Sequence, residues 1–162
     1  MAKTYMQMAE EAMAQVEGIS AEEVQQRLKQ DPNALLVDVR DAGDIPSTGL
    51  ATDGLNISLG MLPVRADLEL PEDWRDSRLQ DRSRQIITTC QIGPNGARGA
   101  KLLKDMGFTN VSYVEGGMEA WKDAGYVLTQ PQVSALESQS GVAALDYHGR
   151  KKEDREVLGR AL

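Results

Sequence analysis

A single cysteine and a single histidine stand in this chain of 162 residues. One cysteine cannot form an intrachain disulfide, so the fold must rest on its own core. A chain of this length can bury such a core as one domain, with room for terminal extensions. Cys and His ligands are too few for a zinc centre, and no metal is expected. The histidine, His148, lies among Gly149, Arg150, Lys151 and Lys152. It reads as an exposed side chain rather than a partner for the cysteine. Long apolar runs are also missing. None nears the ~20 residues that cross a bilayer, and Met1-Ala2-Lys3-Thr4-Tyr5 lacks the apolar stretch of a secretory signal. A cytoplasmic location, where a thiol stays reduced, is the expectation. Positive charge is scarce: 18 Lys and Arg against 25 Asp and Glu give a net charge of −7. That balance argues against nucleic acid and anionic membranes as partners.

What the chain does have is alternation. Within 3–16, Tyr5, Met8, Ala9, Ala12, Met13 and Val16 recur at helical spacing. They predict an amphipathic helix docked on the core and stopped by Gly18. Ser20-Ala21-Glu22-Glu23 is a capping-box pattern that opens a helix to about Lys29. Residues 34–38 form a near-continuous apolar run, as in strands buried on both faces of a parallel sheet. Further strands are expected at 55–57, 85–89 and 111–114. Helices are expected within 61–83, at 97–106 before Gly107, and at 118–124 before Gly125. Trp74 and Trp121 read as core. This order predicts an α/β fold: a mostly parallel sheet with helices on both faces and a site beyond the carboxyl ends of its strands. Residues 130–162 differ, with Pro131, several serines and a charge run over 150–155. The chain therefore divides into an N-terminal helix (1–17), a central domain (18–129) and a C-terminal extension (130–162), the last with a helix near 151–161.

Cys90 stands where chemistry is easiest to place. Gln85-Ile86-Ile87-Thr88-Thr89 delivers it from a strand into the turn Gln91-Ile92-Gly93-Pro94-Asn95-Gly96, and a helix follows. A helix N-terminus offers unpaired N–H groups and a partial positive charge, which favour a thiolate and can cradle an anion in front of it. Cys90 is the candidate nucleophile. Gln91, Ile92, Gly93, Asn95 and Gly96 are the candidate substrate-binding loop, and Arg98 is the nearest cation. The alternative is a buried cysteine acting as a small hydrophobe.

Several segments share one pattern, in order and at fitting spacing: Leu36-Val37-Asp38-Val39-Arg40; Gly49 to Ser58, ending Leu55-Asn56-Ile57-Ser58; the loop Cys90 to Asn95 with Gly93; Leu102-Leu103 with Met106-Gly107-Phe108-Thr109-Asn110-Val111; and Val114-Glu115-Gly116-Gly117 with Ala120-Trp121 and Ala124-Gly125. Together they resemble a rhodanese (sulfurtransferase) domain over roughly residues 18–129. The resemblance implies that the Cys90 thiolate takes a sulfane sulfur from a small-molecule donor, a persulfide or thiosulfate. The resulting persulfide then passes its sulfur to a thiol, to cyanide or to a protein cysteine, with no cofactor. Asp38 and Arg40 are expected to form a structural ion pair at the edge of the site.

The chain also departs from that pattern. Leu50-Ala51-Thr52 replaces the common His-Ile-Pro. The loop's last position, commonly cationic in thiosulfate-using members, is Asn95, followed by Gly96, and Pro94 removes one N–H. Asn95 can donate hydrogen bonds but brings no charge, which favours persulfide handling over thiosulfate turnover. A non-catalytic rhodanese-like module that binds a partner or senses redox state is the alternative reading. A Cys-dependent phosphatase, which shares the fold, needs Cys-x5-Arg, and the sixth residue after Cys90 is Gly96.

Overall fold

Short β-branched runs alternate with helical segments, and each apolar face must find cover. The computed structural model describes residues 1–140; His148 and the helix expected near 151–161 lie outside them. Five parallel strands form the sheet. In spatial order they are β1 (Glu17–Ile19), β6 (Val111–Val114), β5 (Ile86–Thr89), β2 (Leu35–Asp38) and β4 (Leu55–Asn56). β2 and β5 pair residue for residue from Leu35–Ile86 to Asp38–Thr89. Their carboxyl ends are therefore level, and Val39-Arg40 and Cys90-Gln91 leave the sheet side by side. Among the described residues no helix is long and apolar enough to cross a membrane.

Alternation along the central strands divides the core into two layers. Val37 and Ile86 face α3 (Leu62–Ala66) and α4 (Pro94–Asp105), in a cluster with Ile57, Leu62, Leu103 and Phe108. Leu36 and Ile87 face α2 (Ala21–Gln30) and α5 (Gly117–Asp123), with Val24, Val114, Met118 and Trp121. Trp74 and Trp121 are both buried. Fully burying an aliphatic side chain such as Ile86 or Leu103 is worth about 1.5–3 kcal/mol, so these layers supply the fold's driving force.

α1 (Tyr5–Gln15) is fastened at both ends. Thr4 and Gln7 form a reciprocal capping box, and Lys104 Nζ donates to the carbonyl of Gln15 at 2.7 Å. Ala12 joins Ala97 and Ala100 of α4 and Tyr113 in a cluster that Met13 and Val16 flank, while Ala9 is fully buried. Small residues on both helices allow this close approach. Helical spacing predicts Tyr5 and Met8 on the same buried stripe, but they are 45% and 39% exposed. The two small alanines set the contact, and the larger side chains fall at its margins.

Three local features differ from the sequence expectation. Gly18, read as a helix stop, is the middle of β1, which adds the edge strand beside β6. Leu50–Ala51 (β3) and Leu128–Thr129 (β7) form a separate antiparallel pair. α4 begins at Pro94 rather than near Ala97, since proline suits the first helical turn, where its missing N–H costs nothing. Beyond residue 129, α6 (Val133–Ser140) lays Leu136, 1% exposed, against Ile45 and Leu50. The start of the C-terminal extension thus covers the 3-10 turn at Ala42–Ser47.

Candidate active site

Two strand ends and one helix start build the site. β5 releases Cys90 directly into a loop whose fourth residue, Gly93, is the N-cap of α4. The loop closes on its own cysteine: Gly93 N–H donates to Cys90 Sγ at 3.1 Å. Beneath it, Thr88 Oγ1 donates to the Gly96 carbonyl at 2.6 Å and ties strand to helix. No hydrogen bond among the described residues engages the N–H groups of Gln91, Ile92, Asn95 or Gly96. The cysteine loop therefore carries several N–H groups without a protein acceptor, and such groups at a helix start suit an anion or a thiolate.

The outer side of the loop is clamped by α5. Met118 N–H donates to the Cys90 carbonyl at 2.8 Å and Glu119 N–H to the Gln91 carbonyl at 3.1 Å. These bonds require the start of α5 to touch the loop backbone. A Cβ on Gly117 would lie 2.4 Å from the Cys90 carbonyl oxygen and 2.7 Å from Gln91 C and O, at a φ of +60°. Only glycine fits there, which gives the Gly116-Gly117 pair its physical reason.

The β2 end supplies a buried ion pair. Arg40 Nε and Nη2 hold Asp38, the latter at 2.6 Å to Oδ2, with Asp38 and Arg40 1% and 6% exposed. Nη2 also donates to the Gly49 carbonyl, and Nη1 to Thr48 Oγ1 and, at 2.7 Å, to Gln91 Oε1. The guanidinium fork is fully used. Gln91 is held further by Ser47 Oγ, which donates to Oε1, and by Glu119, which accepts from Nε2. The pair predicted as structural thus reaches the loop and fixes its second side chain.

Cys90 is 4% exposed and opens onto a cavity of about 610 Å³, lined by Gln91, Ile92, Pro94 and Asn95 from the loop and by Asp41, Asp44 and Ser47 from across it. Val39, Arg40, Gly43, Leu59 and Tyr5 complete the wall. Ile92 projects at the rim, 65% exposed. Of the residues expected to bind substrate, Gln91, Ile92 and Asn95 line this cavity. Gly93 and Gly96 lie buried in the loop's base. Arg98 lines a different groove, with Met8, Pro63 and Leu102. Its Nη1 donates to Asn95 Oδ1 at 3.0 Å, and its guanidinium lies 5.6 Å from the Tyr5 ring. Among the described residues, Arg40 is therefore the sole arginine of the cavity wall, and its donors are spent, while Asp41 and Asp44 are exposed carboxylates there.

Tyr5, Ser47, Asp41, Asp44 and Glu119 escaped the sequence reading. Only long-range packing brings the first four to the Cys90 cavity and Glu119 to Gln91; Tyr5 and Asn95 are 90 positions apart.

Comparison with known proteins follows the same lines. A family model for the rhodanese-like domain matches residues 20–124. A sulfurtransferase of Allochromatium vinosum is 27% identical over 117 residues, covering 72% of this chain and 98% of the relative. A solved structure from Rhodopseudomonas palustris, described as a protein of unknown function and possible tyrosine phosphatase, superposes with a TM-score of 0.72. It is 25% identical, over 80% of this chain and 96% of that one. The polysulfide-sulfur transferase homodimer of Wolinella succinogenes shares the fold with a TM-score of 0.61 at 21% identity, over 88% of this chain and 90% of that one.

Proposed function

Since the chain belongs to the rhodanese-like domain family, we propose that it is a sulfurtransferase that carries sulfur as a persulfide on Cys90 and draws it from a persulfide donor rather than from thiosulfate. The sulfurtransferase relatives support the sulfur-transfer role. In the first step the Cys90 thiolate attacks the outer sulfur of an R–S–SH donor. A new S–S bond forms on Cys90, the donor's S–S bond breaks, and the donor leaves as a thiolate that takes up the proton. An acceptor thiolate then attacks the terminal sulfur of the Cys90 persulfide, which leaves with it and restores the Cys90 thiolate. No external oxidant or reductant enters the cycle.

The observation that carries the donor preference is the charge around Cys90. Asp41 and Asp44 line the cavity, and the Arg40 guanidinium is committed to Asp38, Thr48, Gly49 and Gln91. A thiosulfate dianion, and the sulfite that leaves from it, would meet two carboxylates and, among the described residues, no free cation on the cavity wall. The uncommitted N–H groups of the loop suffice for the single negative charge that develops on the thiolate leaving from an R–S–SH donor. The same geometry disfavours a phosphatase. A phosphoryl group needs a guanidinium at the end of its loop, and that place is held by Gly96, with Arg98 turned into another groove.

The test is steady-state turnover with cyanide as acceptor. Glutathione persulfide should be used at least tenfold more efficiently, as kcat/KM, than thiosulfate, a difference of about 1.4 kcal/mol in transition-state binding. Faster turnover of thiosulfate would refute the donor assignment.

A further inference from the structure

Asn95, at the end of the loop, is held from outside it. Its Oδ1 accepts from Arg98 Nη1 at 3.0 Å and from the Tyr5 hydroxyl at 3.2 Å. An arginine can only donate, so the amide corner that faces it must be the oxygen. The NH₂ group then occupies the other corner. Asn95 and Tyr5 line the Cys90 cavity and Arg98 does not. Tyr5 is the first residue of α1, outside the 20–124 segment matched by the family model. Its place is fixed by the Thr4–Gln7 capping box and by the packing of α1 on α4.

We infer that Tyr5 and Arg98 are positioning residues that lock the Asn95 side chain with its NH₂ group turned toward Cys90, so that the N-terminal helix gives the cavity a neutral donor for the anionic end of a substrate. This rests on the reading of the Cys90 cavity as the reactive site. A neutral donor at this point favours an anion through one hydrogen bond and adds no charge, in keeping with a reaction that develops a single negative charge. Loss of either the Tyr5 hydroxyl or Arg98 removes one of the two bonds that hold the amide oxygen, so the amide rotates more freely and its oxygen can face the incoming anion instead.

Alkylation tests this without any sulfur donor, because Cys90 is the only thiol. Rates with iodoacetate and with neutral iodoacetamide are measured for the parent, Tyr5→Phe, Asn95→Ala and the double variant. The Phe ring retains the packing of an already half-exposed side chain. Tyr5→Phe should lower the iodoacetate-to-iodoacetamide rate ratio by about two- to tenfold, the range for one hydrogen bond. In the Asn95→Ala background the same change should do nothing, since Tyr5 acts only through Asn95. Arg98→Gln should behave alike. An unchanged ratio in Tyr5→Phe, or an equal loss with and without Asn95, would overturn the inference and leave the reactive-site reading intact. A Cys90 inert to both reagents at neutral pH would overturn both.

Discussion

Replacing Gly117 by alanine probes the clamp between α5 and the loop. The new Cβ would lie 2.4 Å from the Cys90 carbonyl oxygen and 2.7 Å from Gln91 C and O, about 1 Å inside an ordinary carbon–oxygen contact. These are backbone atoms at the end of a strand and cannot swing aside. The residue would also keep a φ of +60°, which costs an alanine about 1–2 kcal/mol. Overpacking against fixed neighbours adds about 1–3 kcal/mol, for a total of about 2–5 kcal/mol. That does not exceed the ~5–15 kcal/mol stability of a typical domain, so the variant should remain folded. Gly125 provides the control. It has a φ of +77°, but a Cβ there would meet no atom within 4 Å, so Gly125→Ala should cost only the backbone part. Urea unfolding should place Gly117→Ala at least ~1 kcal/mol below Gly125→Ala, and the rate of Cys90 alkylation should change only in the former. Equal midpoints and equal alkylation in the two variants would refute the claim that close approach of α5 shapes the loop.

Other expectations follow from the same contacts. Arg40→Met leaves the Asp38 carboxylate buried without its partner, and urea unfolding should register a loss of about 3–5 kcal/mol. Leu136→Ala opens a cavity over Ile45 and Leu50 and should cost about 2–3 kcal/mol in the same assay. We expect a chain ending at residue 131 to unfold cooperatively from a correspondingly lower midpoint. Acid should weaken the fold through two carboxyls. A hydrogen bond from Arg27 holds Glu17 below its ordinary range. Burial pushes Asp76 up, but bonds from the Arg78 side chain and backbone outweigh it and hold it below its ordinary range as well. Both values are depressed in the folded chain. Their contribution is therefore present above the unfolded carboxylate range, near pH 4, and is lost as pH falls through the folded values. Urea midpoints measured from about pH 6 to pH 3 should fall less steeply in Asp76→Asn than in the parent.

The sequence made the central strands and the cysteine loop legible because local signals agreed there: β-branched runs, a Gly/Pro/Asn turn, then helical spacing. β1 was hidden because three residues around Gly18 carry no pattern and exist as a strand only by pairing with β6. The start of α4 was misplaced by three residues although Pro94 marked it. At the candidate site, Cys90, Gln91, Ile92 and Asn95 share one cavity and could be grouped from the sequence because they are neighbours in the chain. Tyr5 could not, since its spacing fitted a buried stripe equally well and its hydrogen bond spans 90 positions. Arg98 is the nearest cation in sequence and a candidate for the same cavity, but it lines another groove. The turn of α4 carries it past the loop's end, to the far side of Asn95.

The intact mass of the protein after exposure to glutathione persulfide tests the central claim most directly. With one thiol in the chain, the parent should gain the mass of one sulfur atom, lose it on reduction with dithiothreitol, and transfer it to cyanide as thiocyanate, while Cys90→Ser should gain nothing. A parent whose mass does not change, or a Cys90→Ser variant that gains the same sulfur, would contradict the account.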